Sequence, residues 1–105
     1  MATELGIALL GAGTVGATVA RELEAHADRL AARSGGPLVL RRVAERDPGR
    51  ARQLAARGVT IDADAATAVA APDVDIVVEL LGGLEPAGTL LDAALQRGLG
   101  VVTAN

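Results

Sequence analysis

The chain has 105 residues, no cysteine, no aromatic residue and a formal net charge of −3, which bounds it to a single domain with a purely aliphatic core. The missing cysteines exclude disulfides, thiolate nucleophiles and thiolate metal sites, and the acidic balance argues against nucleic acid, which would meet a basic face. All ten positive charges are arginine, so no chemistry of this chain rests on lysine.

The first expected element is a strand over Leu5–Leu10, whose near-continuous apolar character fits burial on both faces. Gly11-Ala12-Gly13-Thr14-Val15-Gly16 follows it and opens a segment of helical periodicity. Strand, glycine turn and helix in that order are the setting of a dinucleotide-binding fingerprint. Gly11 serves the tight turn, Gly13 the close approach of backbone to a pyrophosphate, and Gly16 the close packing of helix on sheet. Ala12, Thr14 and Val15 add backbone contacts, while the Thr14 hydroxyl is placed to cap the helix, to reach a phosphate oxygen, or both. The free N–H groups and positive dipole end of that helix suit the phosphate.

The helix carries Val15, Val19, Leu23 and Leu30 on one side and is expected to run unbroken to Ser34-Gly35-Gly36-Pro37. His26, the only histidine, then sits mid-helix as a surface residue. A second strand is expected over Leu38–Ala44, followed by Glu45-Arg46-Asp47 and a helix with Asp47 as N-cap, Pro48 at its first position and Gly58 at its end. Val59-Thr60-Ile61 reads as a short third strand, and Asp62 or Asp64 caps an alanine-rich helix that Pro72 closes. Residues 74–80 form the fourth strand, which Gly82 and Gly83 break. A helix beginning near Glu85-Pro86 places Ala87, Leu90, Leu91, Ala94 and Leu95 on one face, and residues 101–103 are the fifth strand. This alternation predicts an α/β fold: an open parallel sheet of about five strands in the order 3-2-1-4-5, helices on both faces, Rossmann-like. One domain fills residues 1–105. A fifth strand with no helix after it leaves part of the sheet bare, as in a domain cut from a longer protein whose substrate and dimerisation domain is missing. The bare edge suits pairing with another copy, giving a homo-oligomer. No run approaches the ~18 apolar residues of a membrane span and no basic leader is present, so a soluble, cytoplasmic chain without membrane contact is expected.

Val43-Ala44-Glu45-Arg46-Asp47, Val77-Val78-Glu79-Leu80-Leu81-Gly82-Gly83, Glu85-Pro86-Ala87 and Val101-Val102-Thr103-Ala104-Asn105 occur in that order around the glycine turn. In these stretches the chain resembles homoserine dehydrogenase, over that family's N-terminal NAD(P)-binding domain. The resemblance implies an oxidoreductase that interconverts L-homoserine and L-aspartate 4-semialdehyde on the route to threonine, methionine and isoleucine. It also implies that the catalytic lysine and the amino-acid substrate site lie outside this chain, so that the fragment alone is inactive and holds no catalytic residue. Two other readings are another small-molecule dehydrogenase with the same kind of domain, and a non-catalytic NAD(P)-binding or sensing module.

Cofactor choice turns on Glu45-Arg46-Asp47. A carboxylate at the end of the second strand accepts from a ribose diol, whereas an arginine attracts a 2′-phosphate. The resemblance implies that Arg46 faces the phosphate, which favours NADP over NAD; a solvated surface charge is the alternative. Arg57 is placed to help bind the same phosphate, but is read in preference as an exposed helix-end charge. Gly82 and Gly83 are expected to admit the nicotinamide half, with an ordinary strand-to-helix turn as the alternative. Thr103 and Asn105, on the same sheet edge, are placed to contact the nicotinamide ribose or carboxamide, or are frayed at the chain end. Glu79 orients a ribose or the lysine that the resemblance places outside this chain, or is a locally bonded, partly buried carboxylate.

Overall fold

The computed structural model describes residues 4–11, 14–56, 58–81 and 86–103. In chain order these form β1 (Leu5–Leu10), α1 (Thr14–Ala25), α2 (Ala27–Ser34), β2 (Leu38–Ala44), α3 (Pro48–Ala55), β3 (Thr60–Asp62), α4 (Ala65–Ala70), β4 (Ile76–Glu79), α5 (Ala87–Gln96) and β5 (Gly100–Thr103). All strand pairs are parallel and the sheet order is β3-β2-β1-β4-β5, as the alternation predicted.

β1 takes the centre because both of its faces are apolar: Ile7, Ala8, Leu9 and Leu10 are no more than 3% exposed. Alternate side chains serve opposite layers. Ala8, Leu10, Ala44 and Val77 meet Val69 of α4 and Leu90 and Ala94 of α5, while Leu9 and Val43 meet Leu54 of α3 and Val19 of α1. Each fully buried leucine contributes about 1.5–3 kcal/mol. With no ring to fill space, small residues such as Ala8, Ala68 and Ala94, all 0% exposed, let the helices close onto the sheet.

β2 changes phase midway. Ile7 faces Leu40 and Ala8 faces Arg42, so Arg41 is an extra, bulged residue. Leu40 and Val43 consequently share the α1/α3 face although three positions apart, and Arg42 turns to the other face with Ala44. There the Arg42 Nε donates to Asp73 Oδ1 at 2.8 Å and its Nη1 to Asp62 Oδ2 at 3.2 Å. The Asp73 hydrogen bond raises the Arg42 pKa, and the same bond holds the Asp73 carboxyl below its usual range. At the start of β1 the Gly6 N–H donates to Asp75 Oδ2 at 2.7 Å, and the Asp75 N–H returns a bond to the Gly6 carbonyl at 2.7 Å.

Helix punctuation follows the sequence in most places. Asp47 caps α3 by accepting from the Arg50 N–H, with Pro48 in the first turn. Asp64 caps α4 through the Ala66 N–H; Asp62 is taken by Arg42. Several expectations are corrected, among them the start of β5, which lies one residue earlier, at Gly100. The first helix is two, because His26 leaves the helical region at φ −118° and ψ 26° while its N–H still bonds the Glu22 carbonyl. His26 therefore stands at a junction, where its Nε2 lies 3.0 Å from Glu22 Oε2. The third strand begins at Thr60, one residue late, and runs through Asp62. β4 begins at Ile76, because Val74, though only 3% exposed, sits in a turn whose N–H bonds the Ala71 carbonyl. Leu95 is 60% exposed, since five positions past Leu90 it has rotated well off the buried face. Val102 of β5, in register with Val78, is 55% exposed.

Candidate functional site

The strand ends are tied together by backbone bonds just past the sheet. Gly11 N–H donates to the Ala44 carbonyl at 3.1 Å, Leu80 N–H to the Leu10 carbonyl at 2.9 Å, and Glu45 N–H to the Asp62 carbonyl at 3.0 Å. The carboxyl edges of β1 to β4 thus form one fixed rim. Gly11 leaves β1 at φ 89°, a left-handed conformation costly for any residue with a Cβ. A Cβ there would also stand 3.2 Å from Leu81 Cδ2 and 3.4 Å from the Leu80 carbonyl oxygen. Three residues on, Thr14 begins α1, with Val15 and Gly16 in its first turn.

Above this rim lies a cleft of about 600 Å³. Gly11 lies in its lining, Ala44, Glu45 and Arg46 line it from the end of β2, Ala63 and Asp64 from the end of β3, and Pro86, Thr89 and Leu90 from α5. Arg46 is exposed and makes no ion pair among the described residues. Its neighbours are held locally: Glu45 Oε1 accepts from the Asp47 N–H at 2.9 Å, and Asp47 Oδ2 accepts from the Arg50 N–H at 2.9 Å.

Gly11 and Arg46 are therefore brought to one cleft. Thr103 is not in its lining; it stands on β5, in register with Glu79 of β4. Glu79 is 0% exposed, and its Oε2 accepts from the Leu81 N–H at 2.6 Å and its Oε1 from the Thr103 hydroxyl at 2.7 Å. A buried carboxylate needs such donors to offset its lost hydration, so the locally bonded reading of Glu79 is the one realised, with burial complete. Ala12, Gly13, Arg57, Gly82, Gly83 and Asn105 lie outside the described residues. The sequence reading missed the cleft walls at Ala63, Asp64, Thr89 and Leu90. The rule that ligands lie past the carboxyl ends of parallel strands would have flagged the first two. Among the described residues no group of acidic or histidine side chains is arranged for a metal, and no helix is long and apolar enough to cross a membrane.

A five-stranded parallel sheet in this order, a positive-φ glycine between the first strand and helix, and a cleft at the strands' carboxyl ends define a Rossmann-type dinucleotide-binding domain. The family model described as homoserine dehydrogenase, NAD binding domain, matches residues 11–105. The chain belongs to that family, and its cofactor class is a nicotinamide dinucleotide. It is 47% identical over 104 residues to a homoserine dehydrogenase of Mycobacterium tuberculosis and 46% identical over 101 residues to one of Corynebacterium glutamicum, covering 96% of this chain each time. Among solved structures, a homoserine dehydrogenase from Thiobacillus denitrificans superposes with a TM-score of 0.87 at 39% identity over 98% of the chain. One from S. aureus gives 0.85 at 31% identity over 100%. The chain spans 22% of the length of the mycobacterial and corynebacterial relatives and 24% and 26% of the two solved chains.

Proposed function

We propose that this chain is the cofactor-holding domain of an enzyme that interconverts L-homoserine and L-aspartate 4-semialdehyde, and that it prefers NADPH to NADH. The relatives' name, homoserine dehydrogenase, supports a dehydrogenase acting on homoserine, and the family resemblance implies L-aspartate 4-semialdehyde as its counterpart. The observation that carries the cofactor reading is the cleft itself, with the Gly11 turn in its lining and Arg46 beside the end of β2. When bound, a nicotinamide dinucleotide supplies the hydride chemistry. The chain's own residues bind and orient. Gly11, Ala12, Gly13, Thr14, Val15 and Gly16 take the pyrophosphate on backbone N–H groups at the head of α1. Arg46 presents a planar fork of donors to a 2′-phosphate. Gly82, Gly83, Thr103 and Asn105 serve the nicotinamide half. The local bonds of Glu45 and Asp47 support the preference, because they hold both carboxylates to nearby N–H groups beside an exposed Arg46.

The family resemblance implies that residues outside this chain handle the proton that accompanies the hydride, and the isolated chain is expected to bind cofactor without oxidising homoserine. Association with a second copy, which the exposed Val102 supports, and a cytoplasmic location belong to the same reading. Titration calorimetry tests it. NADPH is expected to bind more tightly than NADH, and Arg46→Ala to weaken NADPH by about 10- to 100-fold, the worth of a charge-assisted bond, with NADH unchanged. Equal affinity for the two cofactors, or an Arg46→Ala variant with parental NADPH affinity, overturns the Arg46 assignment.

A further inference from the structure

Beside Arg46 the lining of the cleft carries an exposed carboxylate, Asp64. Ala44 and Asp62 are in register across β2 and β3, and Arg46 and Asp64 each lie two residues further on. The opposite charges therefore leave neighbouring strands at matching points, where backbones run ~5 Å apart within a sheet. They nevertheless form no ion pair with each other. Oδ1 of Asp64 accepts from the Ala66 N–H at 3.0 Å and caps α4, which restrains the side chain. Oδ2 has no partner among the described residues. Ala63, Ala65 and Ala66 flank Asp64 in the lining and Leu90 of α5 joins them, giving small apolar surface of the kind that takes the faces of a flat ring.

We propose that Asp64 determines which base the cleft accepts: its Oδ2 takes the exocyclic amine of adenine and rejects a purine with an oxygen at that position. The inference rests on the reading of the cleft as the site of a nicotinamide dinucleotide with its adenine ribose at Arg46. Phosphate and base hang on adjacent ribose carbons, C2′ and C1′, so a phosphate held by Arg46 brings the base to the neighbouring part of the wall. An ionised carboxylate only accepts hydrogen bonds. Adenine offers it a donor, the 6-amino group. Hypoxanthine offers a carbonyl oxygen there, acceptor against acceptor, and its one donor on that edge, N1–H, stands a ring position away. A site built to bond a donor rejects the analogue that lacks it, because the site's own polar group is then left unpaired. The positive end of a helix favours acceptors, so the selection of an amine belongs to the Asp64 side chain and not to α4.

The test uses the 105-residue chain and two probes, NADPH and its deamino form, in which hypoxanthine replaces adenine. Titration calorimetry reads the ratio of their dissociation constants. The ratio is the informative quantity, because removing a negative charge beside Arg46, or loosening the wall, moves both probes alike. The parent is expected to favour NADPH about tenfold. Asp64→Ser keeps an oxygen to cap α4 but puts nothing in the place of Oδ2, and is expected to bring the two affinities together. Asp64→Asn also keeps the cap and replaces Oδ2 by a donating amide nitrogen, so the preference is expected to turn toward the deamino form. If one variant does not fold, as judged by far-UV circular dichroism, the other and the parent carry the test. A parent that binds both forms alike, or a folded variant that keeps the parental ratio, overturns the proposal while leaving the cofactor reading intact. A parent chain that binds neither form overturns the cofactor reading, and the proposal with it.

Discussion

Replacing Gly6 by alanine should cost more stability than a single methyl suggests. An added Cβ would stand 2.0 Å from the Asp73 carbonyl oxygen and 2.6 Å from the Arg41 Cδ and Nε. Arg41 is a flexible side chain paired with exposed Glu4 and can swing aside. The Asp73 carbonyl is backbone, and it must retreat about 1.4 Å to reach the 3.4 Å of ordinary contact. That retreat pulls on the turn holding Asp75, whose two 2.7 Å bonds to Gly6 pin the start of β1. Overpacking costs ~1–3 kcal/mol, and a weakened carboxylate bond adds up to ~1.5–3 kcal/mol. A loss of roughly 3–5 kcal/mol is therefore expected, a large share of the ~5–15 kcal/mol typical of a domain. With no aromatic residue to report tertiary structure, urea and thermal unfolding are followed by far-UV circular dichroism. The melting midpoint should fall by at least about 12 °C. Gly6 lies roughly 16 Å along β1 from Gly11, so the folded variant should bind NADPH as the parent does. A loss below about 1 kcal/mol would refute the packing argument.

Two further outcomes follow from features of the rim and the β2 edge. Gly11→Ala forces a left-handed residue with a Cβ against Leu81 and should cost about 1–2 kcal/mol while weakening NADPH about tenfold by shifting the turn; parental melting and binding together would contradict it. Asp73 should contribute to acid stability, because the Arg42 hydrogen bond lowers its folded pKa. The contribution is complete above the unfolded carboxyl range near 3.8 and fades as pH falls through the depressed folded value. The stability gap between parent and Asp73→Asn should thus be constant at neutral pH and close in acid; a gap that widens on acidification would reverse the sign.

β1 and β2 were legible because apolar runs between glycine and proline markers leave little choice of ends. Sheet order followed from the alternation of strands and helices. Val74 shows where hydropathy misleads: it is as buried as a strand residue yet belongs to a turn. The break at His26 carries neither glycine nor proline and so has no local signal. Gly11 and Arg46 were readable because each sits one or two residues past an identifiable strand. The wall at Thr89 of α5 and the link from Glu79 to Thr103 depend on how distant segments come together. That information exists only once distant segments are paired.

The bulge at Arg41 divides β2 into two stretches of opposite parity. Upstream of it even-numbered residues look toward α1 and α3, and downstream odd-numbered ones do. A one-residue insertion or deletion absorbed at Arg41 would be taken up there as a change of frame. Downstream, Val43 and Ala44, and with them Glu45 and Arg46, would keep their aim. The strand thus has a built-in expansion joint at the end away from the cleft, where length can vary among descendants while the rim stays in phase.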